Sequence, residues 1–303
     1  MGRRRAFVLP AVPVFAAIVA CDGGGSSDRV DEITSGLPGN AASVLVLDLE
    51  TMAEHYDIDR DELGSLTDVR SDGMSQEDGS DETALLVSEI SAAIAPFNVP
   101  TDNAHLQAID VGEIDAVVSL PIEGLTVIAT GQDSDALGDA YVDAGFEAEG
   151  DGRFGTAEPD GSRDIDGRYP AVSIDDGLLV LARSPEIRDE FGAGEGLSPS
   201  AQALFDAVGD DAWAVSVFGE ADQEPGTCGA GQAFARSGDD IELLVLGGGE
   251  DVLTAETQPF FAVEMGSAQV DGDVTRYTVD PGDPSPRFPL LATSMEVSRV
   301  ADC

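Results

Sequence analysis

"AVSIDDGLLVLA", residues 171–182, is the stretch that sets the fold class. Two apolar runs flank Asp176-Gly177, a pair that tolerates the positive φ values of a type I′ turn. The segment therefore predicts an antiparallel hairpin. Upstream, "DAVVSL" (115–120) and "LTVIATG" (125–131) read as two more strands, joined by the four residues "PIEG". A helix follows, with Asp133 or Ser134 as its N-cap, Leu137, Tyr141 and Ala144 as its inner face, and Gly145 just past its end. Further upstream, "ASVLVLDLE" (42–50) reads as a buried strand. Downstream, Ser198-Pro199 opens a helix that buries Leu204, Phe205 and Val208 and stops at Gly209. After it the pattern is strand: "AWAVSVFG" (212–219), "IELLVLG" (241–247), "FFAVEMG" (260–266) and "DVTRYTV" (273–279), the last two linked across Asp271-Gly272. Helices interleave with strands early and strands dominate late. The expected fold is α+β, a largely antiparallel sheet with a few packed helices.

The series "VLVLDLE … AVVSL … LTVIATG" is echoed by "WAVSVFG … IELLVLG … FFAVEMG", which suggests two weakly similar halves. Between the first strands, "SDGMSQEDGSDE" (71–82) reads as a mobile loop. After it Leu86, Ile90, Ala93, Ile94 and Phe97 share one helical stripe that Pro100 brings to an end. Four prolines crowd the segment after residue 280, which predicts an extended tail. The expected organisation is an export signal at 1–20, a tether at 21–37, an α+β domain at 38–280 with a sub-boundary near 195–210, and a proline-rich tail at 281–303.

Three arginines, Arg3 to Arg5, precede fifteen uncharged residues, Ala6 to Ala20. As a helix these cover about 22 Å, short of the roughly 30 Å hydrocarbon core, so they read as a cleaved signal and not as a membrane span. Ile18-Val19-Ala20-Cys21 resembles the lipobox of prokaryotic lipoproteins, and that resemblance implies that Cys21 is lipidated and becomes the new N-terminus. "RRAFV" (4–8) resembles a twin-arginine export motif, whose receptor accepts folded cargo. The glycines and serines of "DGGGSSD" (22–28) predict a flexible spacer.

All fifteen basic residues are arginine, lysine is absent, and 59 residues are acidic. Every acid follows Cys21, so cleavage there leaves twelve arginines and a net charge of −47. Self-repulsion of that size opposes a compact state unless salt screens it; at molar salt the Debye length is about 3 Å. Nucleic acid is excluded as a partner for want of a basic footprint, and anionic headgroups would repel this surface. The partners left are a membrane reached through lipid on Cys21, a diffuse atmosphere of cations, and an unidentified protein or small molecule.

The missing lysine removes P-loop nucleotide chemistry, protein kinases, pyridoxal-phosphate enzymes and Ser-Lys hydrolases. Two histidines remain. His55, among carboxylates in "MAEHYDIDRDE", reads as a solvated helix end, and His105, in "TDNAHLQAID", as a cap or surface residue. No G-x-S-x-G or H-E-x-x-H occurs. "CGAGQAF" (228–234) and "GGG" (247–249) do not complete a dinucleotide loop and read as turns. Asp57, Asp59 and Asp61 have the 1, 3, 5 spacing of a calcium loop. Glu62 stands where the loop needs glycine and Asp68 where it needs glutamate, so the calcium reading is weak. No cofactor is expected. Cys228 and Cys303 are the two thiols left after Cys21, and outside the cell they are expected to pair.

The composition resembles that of proteins from extreme halophiles. With the lipobox and the twin-arginine-like signal, the layout from "LPGNAASVLVLDLE" (37–50) through the 171–182 hairpin resembles uncharacterised families of haloarchaeal and bacterial exported lipoproteins. The resemblance implies no site residue. The expected function is a non-catalytic, lipid-anchored interaction or envelope module. A pocket lined by Trp213 or several tyrosines would indicate instead a solute-capturing lipoprotein. Two carboxylates about 5 to 10 Å apart in a cleft would indicate a hydrolase.

Overall fold

A computed structural model of the chain describes residues 26–39, 41–57, 105, 108–156, 169–194, 196–209, 211–219, 231–238, 240–247 and 264–280. The strands are β1 (Ser43–Asp48), β2 (Ile114–Leu120), β3 (Leu125–Thr130), β4 (Glu147–Gly150), β5 (Arg153–Gly155), β6 (Ala171–Asp175), β7 (Leu178–Ala182), β8 (Ala214–Gly219), β9 (Gly231–Ser237), β10 (Asp240–Leu246), β11 (Glu264–Met265), β12 (Gln269–Asp271) and β13 (Val274–Asp280). They form one sheet in the order β11-β13-β10-β9-β8-β1-β2-β3-β7-β6-β5-β4, with β12 also beside β13. Every ladder is antiparallel. The chain is α+β, as its pattern predicts.

Among the described residues, five α-helices flank the sheet: α1 (Ser26–Ser35), α2 (Leu49–Tyr56), α3 (Ser134–Asp143), α4 (Pro185–Glu190) and α5 (Pro199–Ala207). One face of the sheet carries Val44, Val46, Val118, Val127, Val215 and Ala233, which pack with Val30 and Ile33 of α1 and Ala201 and Leu204 of α5. The other face carries Leu45, Leu47, Val117, Ile128 and Val172, which pack with Met52 of α2 and Leu137 and Tyr141 of α3. Both faces are covered, so β1 and β3 are buried at every position. An antiparallel strand usually alternates because one side is wet; here the continuous apolar runs follow from two dry sides.

Local chemistry fixes the element ends. Asp48 and Asp133 accept hydrogen bonds from the Thr51 and Ala136 amides and cap α2 and α3. Ser184 and Ser198 cap α4 and α5, each followed by proline, whose missing N–H costs nothing at the first helical position. In the 171–182 hairpin Asp175 pairs with Leu178, and both turn residues have positive φ, 51° at Asp176 and 79° at Gly177.

The strands run outward from the central β1–β8 pair in matching order: β1-β2-β3-β7 on one side and β8-β9-β10-β13 on the other. Each series follows a helix, α1 or α5, packed on the same face. The halves are thus topologically alike, but their correspondence differs from the expected one. "AVVSL" matches β9, and "LTVIATG" matches "IELLVLG". The slip arises because β9 hides inside "CGAGQAF", which was expected to be a turn: Gly231 begins a strand opposite Gly219 and not a loop. The expected tether is also corrected. Residues 26–35 are helical, and Val30, Ile33 and Leu37 are core residues, because a stripe of aliphatic side chains finds the β1–β2 surface. The acidic 71–82 segment, the 86–97 stripe and the tail from 281 lie outside the described residues.

Candidate functional site

Cys21, Cys228, Cys303, Asp59 and Asp61 lie outside the described residues. Asp57 is the C-cap of α2. It sits in the left-handed region at φ 53°, and its amide donates to the carbonyls of Ala53 and Glu54, so its backbone has a structural duty. His55 is exposed in the last turn of α2, its ring beside Gly238. Among the described residues no group of three or more His, Cys, Asp or Glu is placed to hold a metal ion. Among them, too, no helix is long and apolar enough to cross a membrane.

Among the described residues, three groups of buried polar side chains bear on a site. On the second half of the sheet, the Arg236 guanidinium lies 4.9 Å from the Trp213 ring, and Arg236 Nε and Trp213 Nε1 both donate to the Gly238 carbonyl. Trp213 is fully buried, and β-ladder bonds from Asp48 and to Arg236 fix its backbone. It is a core residue. At the opposite edge Arg188 of α4 is buried and gathers Glu149, Asp189 and the carbonyls of Phe154 and Val172.

The third place is His105. The expectation of a cap or surface residue is corrected: its exposure is 1%. Its Nδ1 lies 3.1 Å from the Tyr141 hydroxyl. Tyr141, Phe146 and Tyr169 surround the ring, with centroids at 5.6, 5.4 and 6.2 Å. Thr126 Oγ1 donates to the Tyr169 hydroxyl at 3.2 Å and stands 3.0 Å from Ser119 Oγ, so the polar chain continues under the sheet face. Burial lowers the imidazole pKa to about 4, and the Tyr169 backbone opposes the shift only in part. The ring is neutral at physiological pH. A general base must reach a substrate proton, and this ring faces aromatic walls. The sequence held one signal of this burial: His105, Ala108 and Ile109 fall at i, i+3 and i+4, a helical stripe.

No family model, no curated protein and no solved structure matches this chain.

Proposed function

We propose that the chain is a lipid-anchored, extracytoplasmic module without catalytic activity, acting in interaction at the cell envelope and adapted to high salt. The observation that carries the reading is Ile18-Val19-Ala20-Cys21 at the end of a short uncharged segment that three arginines precede. A thioether lipid on Cys21 would hold the domain close. Ser26, where α1 begins, is five residues on, a span of at most about 18 Å. The acidic, lysine-free composition supports work in brine, where its repulsions are screened. Two signals normally secure a stable anchor, and a polybasic patch is not available to this chain, so the lipid itself has to supply the attachment. Cys228 and Cys303 are proposed to pair, closing a loop of 75 residues worth roughly 4 kcal/mol in the chain-entropy model. Alkylation of both thiols in the native, unreduced protein would dismiss that bond.

The anchor is tested by fractionation. Wild-type protein should follow the membrane pellet, and Cys21→Ser should pass to the soluble or secreted fraction. A variant that pellets as the wild type does would remove the reading.

A further inference from the structure

The two ends of the sheet differ in their distance from Cys21. At one end stand the Gly177 turn of the β6–β7 hairpin, the exit of β3 and the entry to β2. Thr130 there donates its amide to the Gly177 carbonyl, and Gly131 donates to that of Glu113. At the other end stands the β2–β3 turn, 121–124, where Arg183 donates its amide to the Gly124 carbonyl and its guanidinium to that of Ile122. α1 runs from the first end to the second. Arg29 in its first turn reaches the hairpin, since a Cβ built on Gly177 would stand 3.7 Å from Arg29 Nη2. Its exit meets the far end, where the Gly36 and Leu37 carbonyls accept from the amides of Gly192 and Gly196. Val30 and Ile33 are buried against the sheet and hold α1 in that direction.

Ser26 lies five residues after Cys21, at most about 18 Å away. From the Gly177 end to the 121–124 turn, the seven residues of β2 span about 23 Å. A taut spacer is thus shorter than the sheet is tall, and the lipid proposed on Cys21 enters the bilayer beside the Gly177 end. Asp110, Glu113, Asp133, Asp135, Asp175 and Asp176 are exposed there, and the mature chain as a whole carries −47. Anionic headgroups repel such a body, so no attraction rewards laying one of its faces on the bilayer. A repelled body held at one end stands away from the surface on that end.

We infer that the domain stands on the membrane with the Gly177 end toward the lipid and the 121–124 turn outward. The inference rests on lipidation of Cys21. A partner arriving from outside meets the 121–124 turn first, with the exposed Ile122 at its tip and Arg183 beside it.

Two exposed positions report the geometry. Asp135→Trp lies at the Gly177 end, in the first turn of α3, and Ile122→Trp lies at the far turn; the unchanged protein, with its buried Trp213, gives the baseline. Each protein, purified from membranes, is placed in molar salt in phosphatidylglycerol vesicles that carry a lipid with a nitroxide on its headgroup. The emission added by Asp135→Trp should be largely lost to quenching, and that added by Ile122→Trp should be kept. Equal quenching at the two positions, or stronger quenching at Ile122→Trp, would overturn the orientation. Flotation of the same vesicles separates the two readings. Protein that does not float denies the anchor, and the orientation falls with it; protein that floats with equal quenching keeps the anchor and loses the orientation alone.

Discussion

Arg188 Nη1 donates to Glu149 Oε2 at 2.8 Å, joining α4 to β4 across 39 positions of sequence. The guanidinium is buried and Glu149 is 42% exposed, so the pair sits at the border of the core. Nε takes Asp189 at 3.0 Å, and Nη1 reaches the carbonyls of Phe154 and Val172 at 3.4 Å. The contact binds the exposed β4 edge, β5 and β6 to one helix.

Removing Arg188 takes a second donor from two carbonyls of the β5–β6 ladder and leaves a void, while the freed carboxylates can turn to water. Arg188→Met should therefore cost about 1–3 kcal/mol in chemical denaturation, below the figure for a fully buried ion pair. Glu149→Gln should cost less than about 1 kcal/mol. A larger loss for Glu149→Gln than for Arg188→Met would reverse this account of the edge.

Gly231 and Gly219 face each other across β9 and β8 beneath α5. A Cβ on Gly231 would stand 2.8 Å from the Phe218 carbonyl oxygen and 2.9 Å from Leu204 Cδ1. Gly231→Ala should lower stability by about 1–3 kcal/mol, as overpacking does, although alanine normally favours a strand over glycine. Equal or greater stability on equilibrium unfolding would show that α5 is free to shift.

Those glycines also explain where the sequence was legible. Hairpin turns and helix caps are written locally: Asp176-Gly177, Asp133 and Ser198-Pro199 each declare their geometry through neighbours two or three residues away. β9 was not legible, because its glycine serves helix-to-strand contact and resembles a turn residue in isolation. α1 was hidden in the same way. "SSDRVDEITS" is polar by composition, and only the β1–β2 surface gives Val30 and Ile33 a purpose. The site lay deeper still. His105 meets Tyr141 and Tyr169 at separations of 36 and 64 positions, and no local pattern encodes a contact of that range.

His105 binds its proton less tightly in the fold, about pH 4, than in an unfolded chain, about 6.5. Between these values the unfolded chain carries the extra proton, so stability rises with pH there and is complete above about 6.5. The slope this group adds is at most about 1.4 kcal/mol per pH unit. Tyr141→Phe removes the hydroxyl at 3.1 Å and should cost about 1 kcal/mol at pH 7. Denaturation from pH 4 to 8 should show the wild-type slope and its loss in His105→Phe; parallel curves would refute it.

Salt should act on the whole surface. At about 10 mM the Debye length is roughly 30 Å and carboxylates across a face repel; at molar salt it is about 3 Å. Thermal melts should rise by roughly 10 °C or more between these conditions, a few kcal/mol for a domain of this size. A midpoint independent of salt would contradict adaptation to brine.

Intact mass of the mature protein, purified from membranes, tests the central proposal most directly. The account predicts a chain that begins at Cys21 and carries the added mass of a thioether-linked lipid, lost in Cys21→Ser. A mature chain that begins elsewhere, or one that begins at Cys21 with a free thiol, would contradict it.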